Sequence, residues 1–147
     1  MGVRGDREVA AKIRRFATAV SPAVRKRARQ KALKSVESDA KTFLTANGSV
    51  ETAALFSALT TTDDTKPNTS VVGVKRGRRG SKNRLPARTA HLVEFGTAPH
   101  WQPNRFGGIM HPGARPKPFM RPAFEANRTE IPKAYFAEIW VAIAKVK

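Results

Sequence analysis

Residues 89–127 constrain the fold of this chain more than any other segment. They contain six of its ten prolines and all three histidines. Because proline fixes φ and lacks a backbone donor, the segment cannot form one continuous helix or an interior strand. The pattern predicts a strand over residues 89–95 that ends at Gly96. A proline-rich loop over residues 97–118 then leads to a helix that begins near Pro122. The segment is either a chemical site or an assembly contact.

Two helices are predicted before this segment. Residues 6–20 carry apolar side chains at helical spacing, which predicts a short helix within an N-terminal basic arm, residues 1–20. Ser21 is a favourable N-cap and Pro22 suits the first helical position. A long helix is therefore expected to begin there and to end at Gly48, since glycine commonly terminates helices.

Short β-branched and apolar runs predict the sheet. Residues 57–62 and 69–75 are expected to form an antiparallel hairpin, and residues 89–95 add a further strand. An apolar stripe near the C-terminus predicts a final helix. The predicted fold class is therefore α+β, with a long N-terminal helix, a small antiparallel sheet of three to four strands and a C-terminal helix packed on the sheet. Residues 21–147 are assigned to a single domain.

The charge of the chain is strongly unbalanced. It has 28 lysine and arginine residues against 11 aspartate and glutamate residues, a formal net charge of +17. Such an excess predicts a polyanionic partner, such as nucleic acid, an anionic membrane or an acidic protein surface. Residues 75–88 form a predicted basic loop without any acid. The residues expected to contact the polyanion or partner are Lys75, Arg76, Arg78, Arg79, Lys82, Arg84 and Arg88.

Several classes of function are disfavoured by what the sequence lacks. Cysteine is absent, so disulfides and thiolate chemistry are excluded. No apolar run approaches the roughly 18 residues of a membrane span, and no membrane partner is expected. On a strand, His91 and Glu94 would face opposite sides, so they could not share a metal ion with His100 and His111. No catalytic motif is visible, and the sequence predicts no enzyme activity, no metal and no cofactor.

The aromatic residues of the proline-rich loop allow two interpretations. Trp101, Phe106 and Phe119 either fold back and complete the core, or they form an exposed surface that docks on another subunit. Aromatic residues are enriched at interfaces, and on that basis Trp101 and Phe106 are assigned as interface aromatics.

Two blocks of this segment resemble a known family. Residues 91–97 read HLVEFGT and residues 114–127 read ARPKPFMRPAFEAN. Together they resemble the tail-component family of long-tailed bacteriophages, in which a VEFGT strand is followed by a proline- and arginine-containing segment that enters a helix. Residues 50–59, VETAALFSAL, and residues 71–74, VVGV, are similar to the turn and strand that precede these blocks in the family. The resemblance covers residues 22–145.

The resemblance implies a structural virion protein at the head–tail junction or the tail end. It would be a tail-completion, tail-terminator or neck component, made in the bacterial host cytoplasm. Such proteins form homo-oligomeric rings, often hexamers, and contact other neck, connector and tail-tube proteins. The basic loop would then meet the DNA in the channel non-specifically or face an acidic neighbouring ring. The family brings no catalytic residues.

The motif residues have a physical interpretation as groups that position the loop. Glu94 is expected to pair with Arg115 or Arg121 and so to fix the loop to the strand. Gly96 allows the backbone to leave the sheet sharply, and the prolines stiffen the return path. The residues assigned to assembly or loop positioning are Glu94, Gly96, Arg115, Pro118, Phe119, Arg121 and Pro122.

A second class of function follows from the charge alone. The chain could be a basic nucleic-acid-binding protein that contacts phosphates non-specifically through residues 75–88 and the helix face over residues 25–34. That helix face is otherwise an ordinary solvated surface. No base-reading helix is recognisable, so base-specific recognition is not expected.

Overall fold

The computed structural model describes residues 5–48, 52–63, 68–75, 85–103 and 107–146. Within them the elements, in chain order, are α1 (Asp6–Ala19), α2 (Pro22–Ala46), α3 (Thr52–Ala58), β1 (Leu59–Asp63), β2 (Ser70–Val74), α4 (Leu85–Phe95), β3 (His100–Gln102), β4 (Ile109–His111), α5 (Met120–Asn127) and α6 (Glu130–Ala144). The predicted α+β class is confirmed.

The chain divides into two compact units, and each combines segments that are distant in sequence. Unit 1 comprises Met1–Ser35, Thr61–Val71 and Arg128–Lys147. Unit 2 comprises Val36–Thr60 and Val72–Asn127. In unit 1, α1 packs against α6. In unit 2, α3 packs against α4. No helix in the described part of the chain combines the length and apolar character that crossing a bilayer requires.

The predicted α1 and α2 are both present. The Ser21 hydroxyl accepts the N–H of Val24 at 3.4 Å, as expected for an N-cap, and Gly48 has a φ of 59° just beyond the helix end. Apolar residues recur every four positions along α2 and are buried, because residues four apart lie on one face of a helix. They are Ala28, Ala32, Val36, Ala40 and Leu44.

In the described residues the strands form two separate two-stranded sheets rather than one sheet of three to four strands. One sheet contains β1 and β2, near the predicted hairpin. The other contains β3 and β4, which pair antiparallel with Trp101 opposite Met110. An antiparallel bridge between Thr97 and Ala114 closes the base of this hairpin. The proline-rich segment over residues 97–118 therefore contains a β-hairpin instead of an irregular loop.

The strand predicted over residues 89–95 is wrong, because this segment belongs to helix α4. The alternation of apolar residues there is also compatible with a helix. Pro86, Ala90 and Glu94 recur every four residues; Pro86 and Glu94 are buried and Ala90 is partly buried, and proline is well tolerated in a first helical turn. Gly96 then ends the helix with a φ of 71°, the left-handed conformation that glycine adopts at helix C-termini.

The predicted basic loop is also shorter than expected at its C-terminal end. Helix α4 begins at Leu85, so Arg88 lies on a helix and not in a loop. Lys75 follows β2 and is exposed, as is Arg88. The other five basic residues assigned to this contact lie outside the described residues: Arg76, Arg78, Arg79, Lys82 and Arg84.

Large apolar side chains from four segments form the core of unit 2. Leu44 of α2, Leu55 of α3, Leu59 of β1 and Phe119, which directly precedes α5, are the largest fully buried side chains in the described residues. Ala123 of α5 is also fully buried. The core therefore places the N-terminus of α5 inside the unit, where its backbone N–H groups need partners.

Candidate assembly site

The carboxylate of Glu94 provides those partners. Its Oε2 accepts the backbone N–H of Phe119 at 2.8 Å and of Met120 at 3.0 Å, and its Oε1 accepts the N–H of Arg121 at 3.0 Å. These donors lie at the start of α5, where a helix has no internal acceptor for its N–H groups. Glu94 is only 8% exposed. A side chain of α4 therefore caps α5.

The helix dipoles explain why this carboxylate serves α5 and not its own helix. Glu94 lies in the last turn of α4, where the partial negative charge of the helix end disfavours an acid. At the N-terminus of α5 the same charge is stabilised by the partial positive end and by charge-assisted hydrogen bonds. The acid has the sign that the second helix needs.

The predicted ion pair between Glu94 and an arginine is wrong. Among the described residues, neither Arg115 nor Arg121 pairs with this carboxylate, whose oxygens accept backbone N–H groups instead. Arg121 contributes its main-chain N–H, and the side chains of both arginines are exposed. The nearby arginines made an ion pair the expected interaction. The carboxylate instead binds three backbone N–H groups at the start of α5, which have no acceptor within the helix.

Backbone contacts next to Glu94 join the two ends of the proline-rich segment. Thr97 and Ala114 exchange N–H to carbonyl hydrogen bonds of 2.9 and 3.0 Å, and the N–H of Lys117 donates to the carbonyl of Val93 at 2.8 Å. We call the group formed by Glu94, Gly96, the Thr97–Ala114 pair and Phe119 the clamp. It holds the end of α4 against the start of α5.

Gly96 is required in the clamp for two reasons. Its φ of 71° is strained for a residue with a side chain. A Cβ atom there would also overlap the Ala114 carbonyl oxygen and lie 2.8 Å from the nitrogen of Pro116. The chain can therefore pass this closely only if residue 96 has no side chain.

Two asparagine side chains connect α5, and the residue that precedes Phe119, to α2 and its C-terminal end. The Nδ2 of Asn47, just past α2, donates to the carbonyl of Pro118 at 3.1 Å. The Nδ2 of Asn127 donates to Asp39 at 2.6 Å and to the carbonyl of Ala123 at 2.9 Å, and this residue is 6% exposed. Asparagine is common in turns, so these side-chain hydrogen bonds could not be predicted from the sequence.

The hairpin held by the clamp exposes an apolar pair. Trp101 and Met110 are directly opposite each other on β3 and β4 and are 57% and 65% exposed. The Trp101 ring lies against Gly108, where a Cβ would overlap it. Of the two interpretations of the aromatic residues, Phe119 follows the first and is in the core, whereas Trp101 is exposed. Phe106 lies outside the described residues.

The histidines of the hairpin are engaged with the hairpin itself. The rings of His100 and His111 stack with centroids 5.1 Å apart. His100 Nδ1 lies 3.0 Å from the Ala98 carbonyl oxygen, and His111 Nδ1 accepts the N–H of Gly113 at 3.0 Å. No group of three or more acidic or histidine side chains that could hold a metal occurs in the part of the chain described. The two histidines therefore contact each other and the backbone at the base of the hairpin.

His91 and Glu94 do not face opposite sides, contrary to the expectation for a strand. Both line a groove of about 630 Å³ formed by β2, α4 and the N-terminal part of α5. Residues three apart share a face of a helix, which explains why both reach the groove. Glu94 already accepts three hydrogen bonds, so its carboxylate is committed to α5.

The basic face of α2 contacts acceptors within unit 1. Lys26 forms a 2.6 Å ion pair with Asp63, and the Arg29 Nε donates to the Ser70 hydroxyl at 3.2 Å. The Ser70 hydroxyl in turn donates to Asp63 at 2.8 Å. The hydrogen bond from Lys26, together with the one from Ser70, lowers the pKa of Asp63 from its ordinary value of 3.8.

A second carboxylate engages the same face of the helix. Glu138 of α6 pairs with Lys31, and its other oxygen lies 3.4 Å from Arg27. The hydrogen bond from Lys31 lowers the pKa of Glu138 from its ordinary value of 4.5. Four basic residues of this face therefore contact acceptors of unit 1: Lys26, Arg27, Arg29 and Lys31.

Comparisons of the chain with protein-family models, with curated proteins and with solved structures find no match. The function of the clamp and the hairpin therefore has to be inferred from their geometry and from the motifs in the chain itself. Chemically, this arrangement fixes two helix ends and presents a hairpin.

Proposed function

We propose that the protein is a structural virion component of a tailed bacteriophage. In this proposal it is a ring-forming tail-completion, tail-terminator or neck protein that joins the tail tube to the head connector. It acts as a homo-oligomer, expected to be a hexamer, and contacts neighbouring neck, connector and tail-tube proteins. The proposal gives the chain no catalytic role.

The clamp is the observation that supports this proposal most directly. The hairpin separates the two sequence blocks that carry the family resemblance, and Glu94 of the first block caps the helix that begins in the second. The motif residues Glu94 and Gly96 position the backbone, and Phe119 places an aromatic ring in the core. A motif of this kind is suited to fixing a surface segment for assembly, because rigid ordering before contact lowers the entropy cost of association.

The hairpin supplies the surface that such a role needs. Trp101 and Met110 leave most of their apolar area in solvent, and tryptophan and methionine are enriched at protein interfaces. The net charge of the chain, +17, suits contact with acidic neighbours or with DNA in a channel.

Particles from bacteria that carry the gene test the proposal. We expect the protein to copurify with intact particles, and a deletion of the gene to yield separate heads and tails by electron microscopy. Complementation with the wild-type gene should restore joined particles. Full yields of infectious particles without this chain would overturn the proposal. Native mass spectrometry of the protein, alone and with its particle neighbours, should show a closed ring.

The alternative role in non-specific nucleic-acid binding has support from the acid-free basic run over residues 75–88. It has less support from α2, since four basic residues of that face contact acceptors inside unit 1. If the seven basic residues of the run met seven phosphates, the logarithm of the affinity would fall with the logarithm of salt concentration at a slope of about −6. Duplex-DNA gel shifts across a salt series measure this slope, and an affinity independent of salt excludes the role.

A further inference from the structure

The stretch of sequence that contains the hairpin carries cations without acids. Between Glu94 and Glu125 the sequence contains four basic residues and no acid. The oxygens of Glu94 are hydrogen bonded to the start of α5. Arg115 and Lys117, which follow the base of the hairpin, are exposed. Within the described part of the chain neither Arg115 nor Lys117 forms an ion pair, so both are open to carboxylates of another molecule.

The hairpin also presents its apolar pair in a fixed orientation. Successive side chains of a strand point to opposite faces, so Trp101 and Met110 share one face and the stacked histidines share the other. The Trp101 ring rests on Gly108, whose missing side chain leaves space for it. A large aromatic side chain held in place beside a second apolar group is typical of the centre of a binding surface.

We propose that the Trp101–Met110 face of the hairpin docks on a partner protein whose contact surface has an apolar cleft surrounded by carboxylates. The cleft would take the two apolar side chains, and the carboxylates would pair with Arg115 and Lys117. The inference deepens the proposed virion function, on which it rests, by giving the chemistry of the neighbouring protein. A second copy of this face is disfavoured because it would bring the same uncompensated cations.

A panel of synthetic peptides tests this chemistry. Each peptide combines leucines with glutamates, in helical or in alternating order, and each has a matched version with glutamine in place of glutamate. In a Trp140→Phe background, Trp101 is the only tryptophan, so its fluorescence reports the contact. We expect a leucine–glutamate peptide to shift the Trp101 emission to the blue, and its glutamine version to bind about tenfold more weakly or worse.

Variants locate the contact. Met110→Ser is expected to weaken binding about tenfold by calorimetry, and Lys117→Glu should weaken it by a similar factor while improving binding of a leucine–lysine peptide. The matched control is Phe136→Ser, because Phe136 of α6 is as exposed as Trp101, at 57%. This control should bind with wild-type affinity.

Four results would overturn the docking surface. They are failure of the whole panel to bind, equal binding of the glutamine peptides, an equal loss in Phe136→Ser, or self-association that Met110→Ser abolishes. Stronger binding of duplex DNA than of every peptide, with a change in Trp101 emission, would reassign the face to nucleic acid. If the peptides bind but joined particles form without the protein, the docking surface is retained and the virion role is rejected. Joined particles that survive both Met110→Ser and Lys117→Glu retain the virion role and reject this surface.

Discussion

The clamp and the basic face of α2 use carboxylates in two different ways. Glu94 is 8% exposed and its partners are three backbone N–H groups at a helix start. Asp63 and Glu138 instead pair with lysines whose side chains are 56% and 65% exposed. The chain has only 11 acids against 28 bases, so cations are the commoner charged partner available to a carboxylate. Of these three carboxylates, Glu94 is bound by backbone N–H groups, whereas Asp63 and Glu138 are bound by cations.

This difference determines what the loss of each carboxylate should cost. Backbone N–H groups at a partly buried helix start cannot move away, so removing their acceptor leaves donors without a partner. Exposed lysines and arginines can turn towards water when their acid is removed, and surface pairs contribute little to stability. We therefore expect the clamp to depend on one residue and the basic face to tolerate the loss of any single pair.

Removing the Glu94 side chain is expected to have the largest effect on stability. Glu94→Ala should lower the free energy of unfolding by about 3 kcal/mol, since it deprives three donors of a charged acceptor. Urea denaturation measures this change. Glu125→Ala is the matched control, because Glu125 is an exposed acid on α5, and a surface substitution of this kind changes stability by about 0.5 kcal/mol or less.

The conservative change Glu94→Gln sharpens the same comparison. The amide keeps one oxygen acceptor but turns an N–H₂ group towards the helix N–H donors, so its stability should lie between those of wild type and Glu94→Ala. If both Glu94 variants unfold at the same urea concentration as Glu125→Ala, the clamp does not depend on this carboxylate.

A side chain at residue 96 should have the next largest effect. Gly96→Ala forces a strained φ and brings a Cβ against the Ala114 carbonyl, at an expected cost of about 2 kcal/mol. Gly73→Ala in β2 is the matched control, because a Cβ there meets no atom within 4 Å. Thermal unfolding of both variants measures the difference, and equal midpoints would show that the clamp can relax around a side chain.

Periodicity in the sequence was sufficient to predict the elements whose signal is local. The apolar stripe and Gly48 correctly predicted helix α2. The β-branched run that precedes Asp63 correctly predicted a strand there. The strand prediction for residues 89–95 was wrong because an alternating run is compatible with both a strand and a helix end. What selects the helix is tertiary: Glu94 meets donors 25 to 27 residues further along the chain.

The site could be predicted in its positions but not in its chemistry. The motif drew attention to Glu94 and Gly96, and both lie in the clamp. The partner of Glu94 could not be predicted, because backbone donors leave no mark in a sequence while arginines do. The Trp101–Met110 pair was missed for a related reason, since its register depends on a hairpin within a segment rich in proline.

Acid should affect the basic face of α2 through two carboxylates whose pKa values are lowered in the folded protein. The hydrogen bond from Lys26 lowers the pKa of Asp63 from 3.8, and the hydrogen bond from Lys31 lowers the pKa of Glu138 from 4.5. A lowered pKa in the folded state stabilises the fold above the unfolded-state value. That contribution is lost as the pH falls through 4.5 and 3.8 towards the lower folded values.

The double variant Asp63→Asn, Glu138→Gln should have the smallest effect, and one confined to pH. At neutral pH we expect a slight decrease in melting temperature, because the lost pairs are largely exposed and screened. On acidification below about pH 4.5, wild type should lose this advantage and the two melting curves should converge, since both proteins then lack the two charges. If the difference in melting temperature instead stays constant down to about pH 3, the two carboxylates act through packing. The clamp and the basic face of α2 would then differ in burial alone.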